Sequence, residues 1–190
     1  MKNALNKNDI FLKGKNVILK ALNEEDVLST NWYGWFNDGK TTRFMQKHYF
    51  PNTQAMQLSF LRDMDQHILS KIQVGICDIN TGLMFGIVSI QQIDFINRKA
   101  ELSIVIGEKK YQTLVYSLEA LSLMAVHAFY TLNLRRLYAG VMPKEWANAL
   151  CKFLNFKQEG VLRQDIFKHG EYCDIYRIAV LESEFKNYIP

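Results

Sequence analysis

"AELSIVIGEKKYQTLVYSLEA", residues 100–120, passes from strand-like to helix-like sequence within one turn, and its reading decides the fold. Ala100, Leu102, Ile104 and Ile106 alternate with Glu101, Ser103 and Val105. That period of two places each set on its own face of a strand. Downstream, Leu121, Met124, Ala125, Ala128, Phe129 and Leu132 recur at helical spacing, which predicts an amphipathic helix over 117–132.

Working outward, 14–22 reads as a first strand and 23–38 as a helix capped by Asn23. A second helix is predicted over 50–68, capped by Asn52 or Thr53, with Met56, Phe60, Leu61 and Met64 as its apolar stripe. Strands are predicted at 72–79 and 83–95, joined by the turn Asn80-Thr81-Gly82, and the central strand runs over 100–108. A buried strand at 134–141, a helix at 144–156 opened by Pro143, and a hairpin over 160–181 turning at His169-Gly170 complete the chain. The mixed order predicts an α/β (α+β) fold, with a sheet sandwiched by helices.

A length of 190 residues suits one domain over 1–190, with enough chain to bury a core without metals or disulfides. The net charge of +4 is spread thinly, Lys13, Lys15, Lys20, Arg135 and Arg136 being the densest clusters, so no nucleic-acid partner is expected. Cys77, Cys151 and Cys173 form no metal-ligand spacing and read as reduced thiols. No metal is expected. No signal-like apolar core or membrane-length run occurs, so the expected location is the cytoplasm, with no membrane partner.

This order of elements, with "GKNVILKALNEED" (14–26), "WFNDGKTTRFM" (35–45), "YFPNT" (49–53), "AELSIVIGEKKY" (100–111) and "LNLRRLYAGV" (132–141), resembles the GNAT superfamily of N-acetyltransferases over nearly the whole chain. It looks closest to the branch of ribosomal-protein alanine acetyltransferases and nucleotide-amino-sugar acetyltransferases. The resemblance implies a central mixed, mainly antiparallel sheet flanked by helices, with acetyl-CoA as cofactor. It also implies that the strand containing Ile104, Val105 and Ile106 splays from its neighbour and holds the pantetheine arm. The family's phosphate turn, Q/R-x-x-G-x-G/A, falls on Gln112, Thr113, Leu114, Val115, Tyr116 and Ser117. Val115 stands where relatives have glycine, and a β-branched residue resists positive φ. Backbone donors survive any side chain if the conformation does.

In helix 144–156, Lys144, Cys151 and Asn155 replace the family's Asn, Tyr and Gly. The tyrosine commonly protonates the departing thiolate, so Cys151 is a candidate donor, with a small buried apolar role as the alternative. Lys144 is a candidate phosphate contact or one more exposed lysine. Glu101 is the candidate general base, with a structural carboxylate bonding Arg98 as the alternative. A backbone N–H around Val105–Ile106 is the expected oxyanion donor. The acceptor region in relatives falls on Trp35, Phe36, Arg43, Phe44, Tyr49, Tyr172 and Asp174, with His48 adjoining.

The implied activity is transfer of acetyl to a small-molecule primary amine, foremost that of a nucleotide-linked amino sugar, by a monomer or homodimer. The alternatives are a protein N-terminal acetyltransferase and a GNAT-fold binding module with little catalysis.

Overall fold

The computed structural model describes residues 6–45, 49–66 and 69–188. Among these residues eight strands form one sheet: β1 (Ile10–Lys13), β2 (Val17–Ala21), β3 (Lys71–Asp78), β4 (Met84–Asp94), β5 (Lys99–Ile106), β6 (Arg136–Val141), β7 (Lys157–Lys168) and β8 (Glu171–Leu181). Their spatial order is β1-β2-β3-β4-β5-β6-β8-β7, and every neighbouring pair is antiparallel except β5–β6. The short β1 precedes the first expected strand, its partner across the Gly14 turn.

Among the described residues, six α-helices cover the faces: α1 (Glu24–Ser29), α2 (Trp32–Trp35), α3 (Gly39–Thr42), α4 (Gln54–Gln66), α5 (Leu114–Tyr130) and α6 (Lys144–Leu154). The single helix expected over 23–38 is therefore broken. Asn23 does cap α1, in a capping box with Asp26, but Thr30 and Asn31 leave helical geometry, and Asp38 starts α3 afresh by accepting from the Lys40 and Thr41 N–H groups. Polar residues that bond nearby backbone compete with helix continuation. In α4 Thr53 supplies the cap, its Oγ1 accepting from Met56 N at 3.2 Å. Its buried residues are Gln57 and Leu61, whereas Met56 and Phe60 of the expected stripe are exposed.

Central strands are apolar on both faces because helices cover both. Val17, Leu19, Phe85, Ala100 and Leu102 pack with α5 and α6 in one core. Ile18, Met84 and Ile87 pack with Val27, Trp32, Trp35 and Leu61 in a second core on the opposite face. The alternation in β5 divides accordingly: Leu102, Ile104 and Ile106 belong to the first, Val105 to the second. Among the described residues, no helix is long and apolar enough to cross a membrane.

Candidate active site

The parallel neighbours β5 and β6 pair only where Lys99, Ala100 and Glu101 face Arg136, Leu137 and Tyr138. Beyond that point β5 runs on to Ile106 and β6 to Val141 without pairing with each other. A wedge opens between them, and alternate residues of β5 turn free backbone groups into it. The resulting cleft has a volume of about 1080 Å³, and its lining includes Leu102–Ile106 of β5, Ala139–Val141 of β6 and the start of α5.

The N-terminus of α5 forms one end of this wedge. Thr113 precedes it in extended geometry (φ −126°, ψ 158°), and its side chain does not cap the helix. The N–H groups of Leu114, Val115 and Tyr116 thus have no acceptor within the helix, and the helix dipole adds positive potential there. The helix starts three residues earlier than expected, at Leu114, so Val115 lies inside its first turn. Val115 is not among the residues with positive φ, and its side chain, 42% exposed, does not line the cleft. Helical dihedrals are open to valine, so the missing glycine costs no backbone strain at this position.

Gln112, Thr113, Leu114 and Ser117 line the cleft. Gln112 Nε2 donates to Ile106 O at 3.1 Å, tying the turn to the end of β5. The Ser117 hydroxyl donates to Thr113 O at 3.0 Å, so its proton serves the helix and only its lone pairs face outward. Tyr116 turns away from the cleft into an aromatic cluster with Phe85 and Tyr111.

The other end of the wedge is a polar floor on the sheet. Lys71, Gln91, Glu101 and Tyr138 pair side by side across β3, β4, β5 and β6. Glu101 Oε2 accepts from Gln91 Nε2 at 3.2 Å and from Gln92 Nε2 at 3.1 Å. Gln92 reaches it because β4 bulges between Gln91 and Asp94, with Gln92 at φ 53°. Tyr138 donates its hydroxyl to Gln92 Oε1 at 3.1 Å, which fixes the direction of that amide. Burial, then the Glu101 charge, pushes the Tyr138 phenol above its ordinary range and keeps it protonated. Arg98, the alternative partner for Glu101, instead donates to Asn133 O and Oδ1.

Other expected residues lie elsewhere. Cys151 is half-buried on α6, outside the cleft lining, and burial pushes its thiol pKa up. Lys144 is exposed and also outside the lining. Phe36 and Phe44 do line the cleft, whereas Arg43 does not and sits over the Phe44 ring at 5.1 Å. Trp35 is fully buried: its Nε1 donates to Glu108 Oε1 at 2.8 Å, and its ring lies against Gly107, where an added Cβ would come within 1.9 Å of it. Tyr49 is exposed beneath the Lys168 ammonium, which also donates to Thr42 O. Tyr172 packs on Phe167, and Asp174 accepts from Gln164 N at 2.8 Å, neither lining the cleft. His48 lies outside the described residues. Asn155, at the family's glycine position, adopts the left-handed conformation (φ 60°) after α6 and bonds Glu184 O through Nδ2.

Sequence reading missed Gln73, Ser89, Gln91, Gln92, Tyr138 and Arg177, all of which line the cleft. The signal was polar residues recurring on alternate positions of otherwise apolar strands, at Gln73 in β3 and at Ser89 and Gln91 in β4.

The family model for an acetyltransferase (GNAT) domain matches residues 16–149. The chain is similar to the spermidine N(1)-acetyltransferase of Escherichia coli K12, 27% identical over 173 residues, 90% of this chain and 88% of the relative. It is 26% identical over 168 residues to an N-acetyltransferase called p20 of Bacillus licheniformis, covering 86% and 90% of the two chains. Among solved structures, the spermidine N-acetyltransferase from Vibrio cholerae in complex with CoA and spermine superposes with a TM-score of 0.79 at 21% identity, over 89% of this chain and 97% of that one. Mycobacterium smegmatis RimJ in complex with CoA-disulfide gives 0.75 at 17%, over 88% and 83%.

Proposed function

The chain belongs to the GNAT acetyltransferase family, and we propose that it transfers acetyl from acetyl-CoA to the primary amine of a small molecule held over Glu101. The observation carrying this reading is the β5–β6 pairing that stops at Glu101 and leaves a wedge running to the uncapped start of α5. Residues 1–190 are taken as one acetyltransferase domain.

Acetyl-CoA supplies the acyl group as a thioester. The residues present fit it. Free first-turn N–H groups at Leu114, Val115 and Tyr116 suit phosphate oxygens, and the open edge of β5 suits the amides of a pantetheine arm. A wedge-facing N–H of the Ile104–Ile106 stretch would hydrogen-bond the carbonyl oxygen as it gains charge. Glu101 takes the proton of the acceptor ammonium. Both amide bonds fall on Oε2, so Oε1 remains for the incoming amine. The released thiol, with a pKa of about 8.5, needs no strong acid.

The similar proteins named for spermidine suggest a polyamine acceptor; the nucleotide-linked amino sugar expected from sequence has no support among them. The binding-module alternative drew on Val115, Lys144, Cys151 and Asn155; Val115 and Asn155 are not conformationally at odds with their positions, whereas Lys144 and Cys151 stand outside the cleft lining. Two measurements test the reading together: calorimetric binding of acetyl-CoA, and thiol release on adding primary amines. Tight binding with amine-dependent release is the expected result. Binding without release to any amine would leave only a binding module.

A further inference from the structure

Beside the row that holds Glu101 lies a second polar row on the same face of the sheet. Gln73, Ser89 and Ser103 pair across β3, β4 and β5. The Ser89 and Ser103 hydroxyls share a hydrogen bond of 2.8 Å, and all three residues line the cleft. Gln73 is only 8% exposed, and its side-chain amide, open to the cleft, bonds no other described residue. An amide at that depth offers two N–H donors and a carbonyl acceptor, and leaving them unused is unfavourable. Its natural partner is whatever lies on the floor: water when the cleft is open, the acceptor when it is filled.

Charge narrows the class of acceptor. The charged side chains lining the cleft are Lys40, Lys71, Arg177 and Glu101 among the described residues. Lys71 stands in the same row as Glu101, two residues from Gln73, and its Nζ lies 4.4 Å from the centre of the Phe60 ring rather than against a carboxylate. Glu101 is committed to the reacting amine. A second ammonium, such as the polyamines named for the similar proteins carry, would meet cations and find no counter-charge left among the described residues of the floor. Here the geometry departs from what those relatives suggest.

Resting on the N-acetyltransferase reading, we infer that Gln73, Ser89 and Ser103 form a selectivity row that takes an amine carrying hydroxyl or amide groups and no second positive charge. Gln73 is its specificity-determining member. A site built to bond such groups rejects analogues that lack them more strongly than an apolar pocket rejects a missing methylene.

The test compares acetylation of glucosamine, UDP-linked glucosamine, cyclohexylamine and spermidine by the native chain, Gln73→Leu and Ser89→Ala, with acetyl-CoA affinity measured for each. The native chain should prefer an amino sugar over both cyclohexylamine and spermidine. Gln73→Leu should lower that preference about tenfold or more, mainly through KM, with acetyl-CoA affinity and the cyclohexylamine rate unchanged. Ser89→Ala should act in the same direction. Preference for spermidine, transfer to cyclohexylamine or spermidine but to neither amino sugar, or equal loss for every amine in both variants would overturn the inference and leave the acetyltransferase reading standing. Failure of the native chain to bind acetyl-CoA would bring down that reading and the inference with it.

Discussion

The two ends of the wedge are built from different materials. At the α5 end the unused donors are backbone N–H groups; Val115 stays out of the cleft, the Ser117 hydroxyl proton bonds the helix, and Gln112 bonds the end of β5. At the floor the polar groups are side chains, each aimed by another: Tyr138 sets Gln92, and Gln92 with Gln91 sets Glu101. The first end can drift in sequence while keeping its chemistry. The second changes its chemistry with a single residue.

Four experiments would sharpen or break that contrast. Glu101→Gln, which keeps shape but cannot take a proton, should lower kcat by about 10²–10⁴-fold with acetyl-CoA affinity unchanged, by steady-state kinetics and calorimetry. A second concerns Cys77, buried in the core beneath α1, α2 and α4. Burial pushes its thiol from 9.0 up to about 12. Above pH 9 the unfolded chain ionises and the folded one does not, so stability falls as pH rises, by about 4 kcal/mol at most as pH approaches 12. Urea titrations from neutral to alkaline pH should show that fall, and Cys77→Val should flatten it.

The third experiment isolates the backbone. Leu114→Pro removes one first-turn N–H at a position where helices accept proline, after an extended Thr113. Acetyl-CoA affinity should drop by roughly 10–100-fold, whereas Val115→Gly should change it by less than about threefold. A large gain from Val115→Gly would break the contrast by showing that the side chain matters after all. The smallest effect is expected at Asn155. Alanine there meets the left-handed penalty and loses the bond to Glu184 O, for roughly 1–2 kcal/mol by denaturant titration, while glycine should cost less.

Much of the sheet was legible because β5, α5 and β6 follow simple periods through buried surfaces. The helix expected over 23–38 failed because its apolar residues say nothing of Thr30, Asn31 and Asp38, which bond backbone locally and divide it. The sequence offered Glu101 as the candidate base, a carboxylate opening the strand expected to hold the cofactor. Its partners were not legible there, because Gln91, Gln92 and Tyr138 meet it only through strand register and one bulge. Positions carried over from relatives fared unevenly for the same reason. Phe44 lines the cleft while Arg43 beside it does not, a difference of one residue in a short helix exit that no pattern encodes.

Trp35 sets a tolerance for the whole machine. The indole rests flat against Gly107, immediately after β5, and is pinned to Glu108 on the approach to the cofactor turn, while its own chain leads directly into the Phe36 wall. In the proposed reaction the ring spaces the end of β5, where the donor would lie, from the Phe36 wall of the cleft, so a smaller side chain at position 35 should let the two shift against one another.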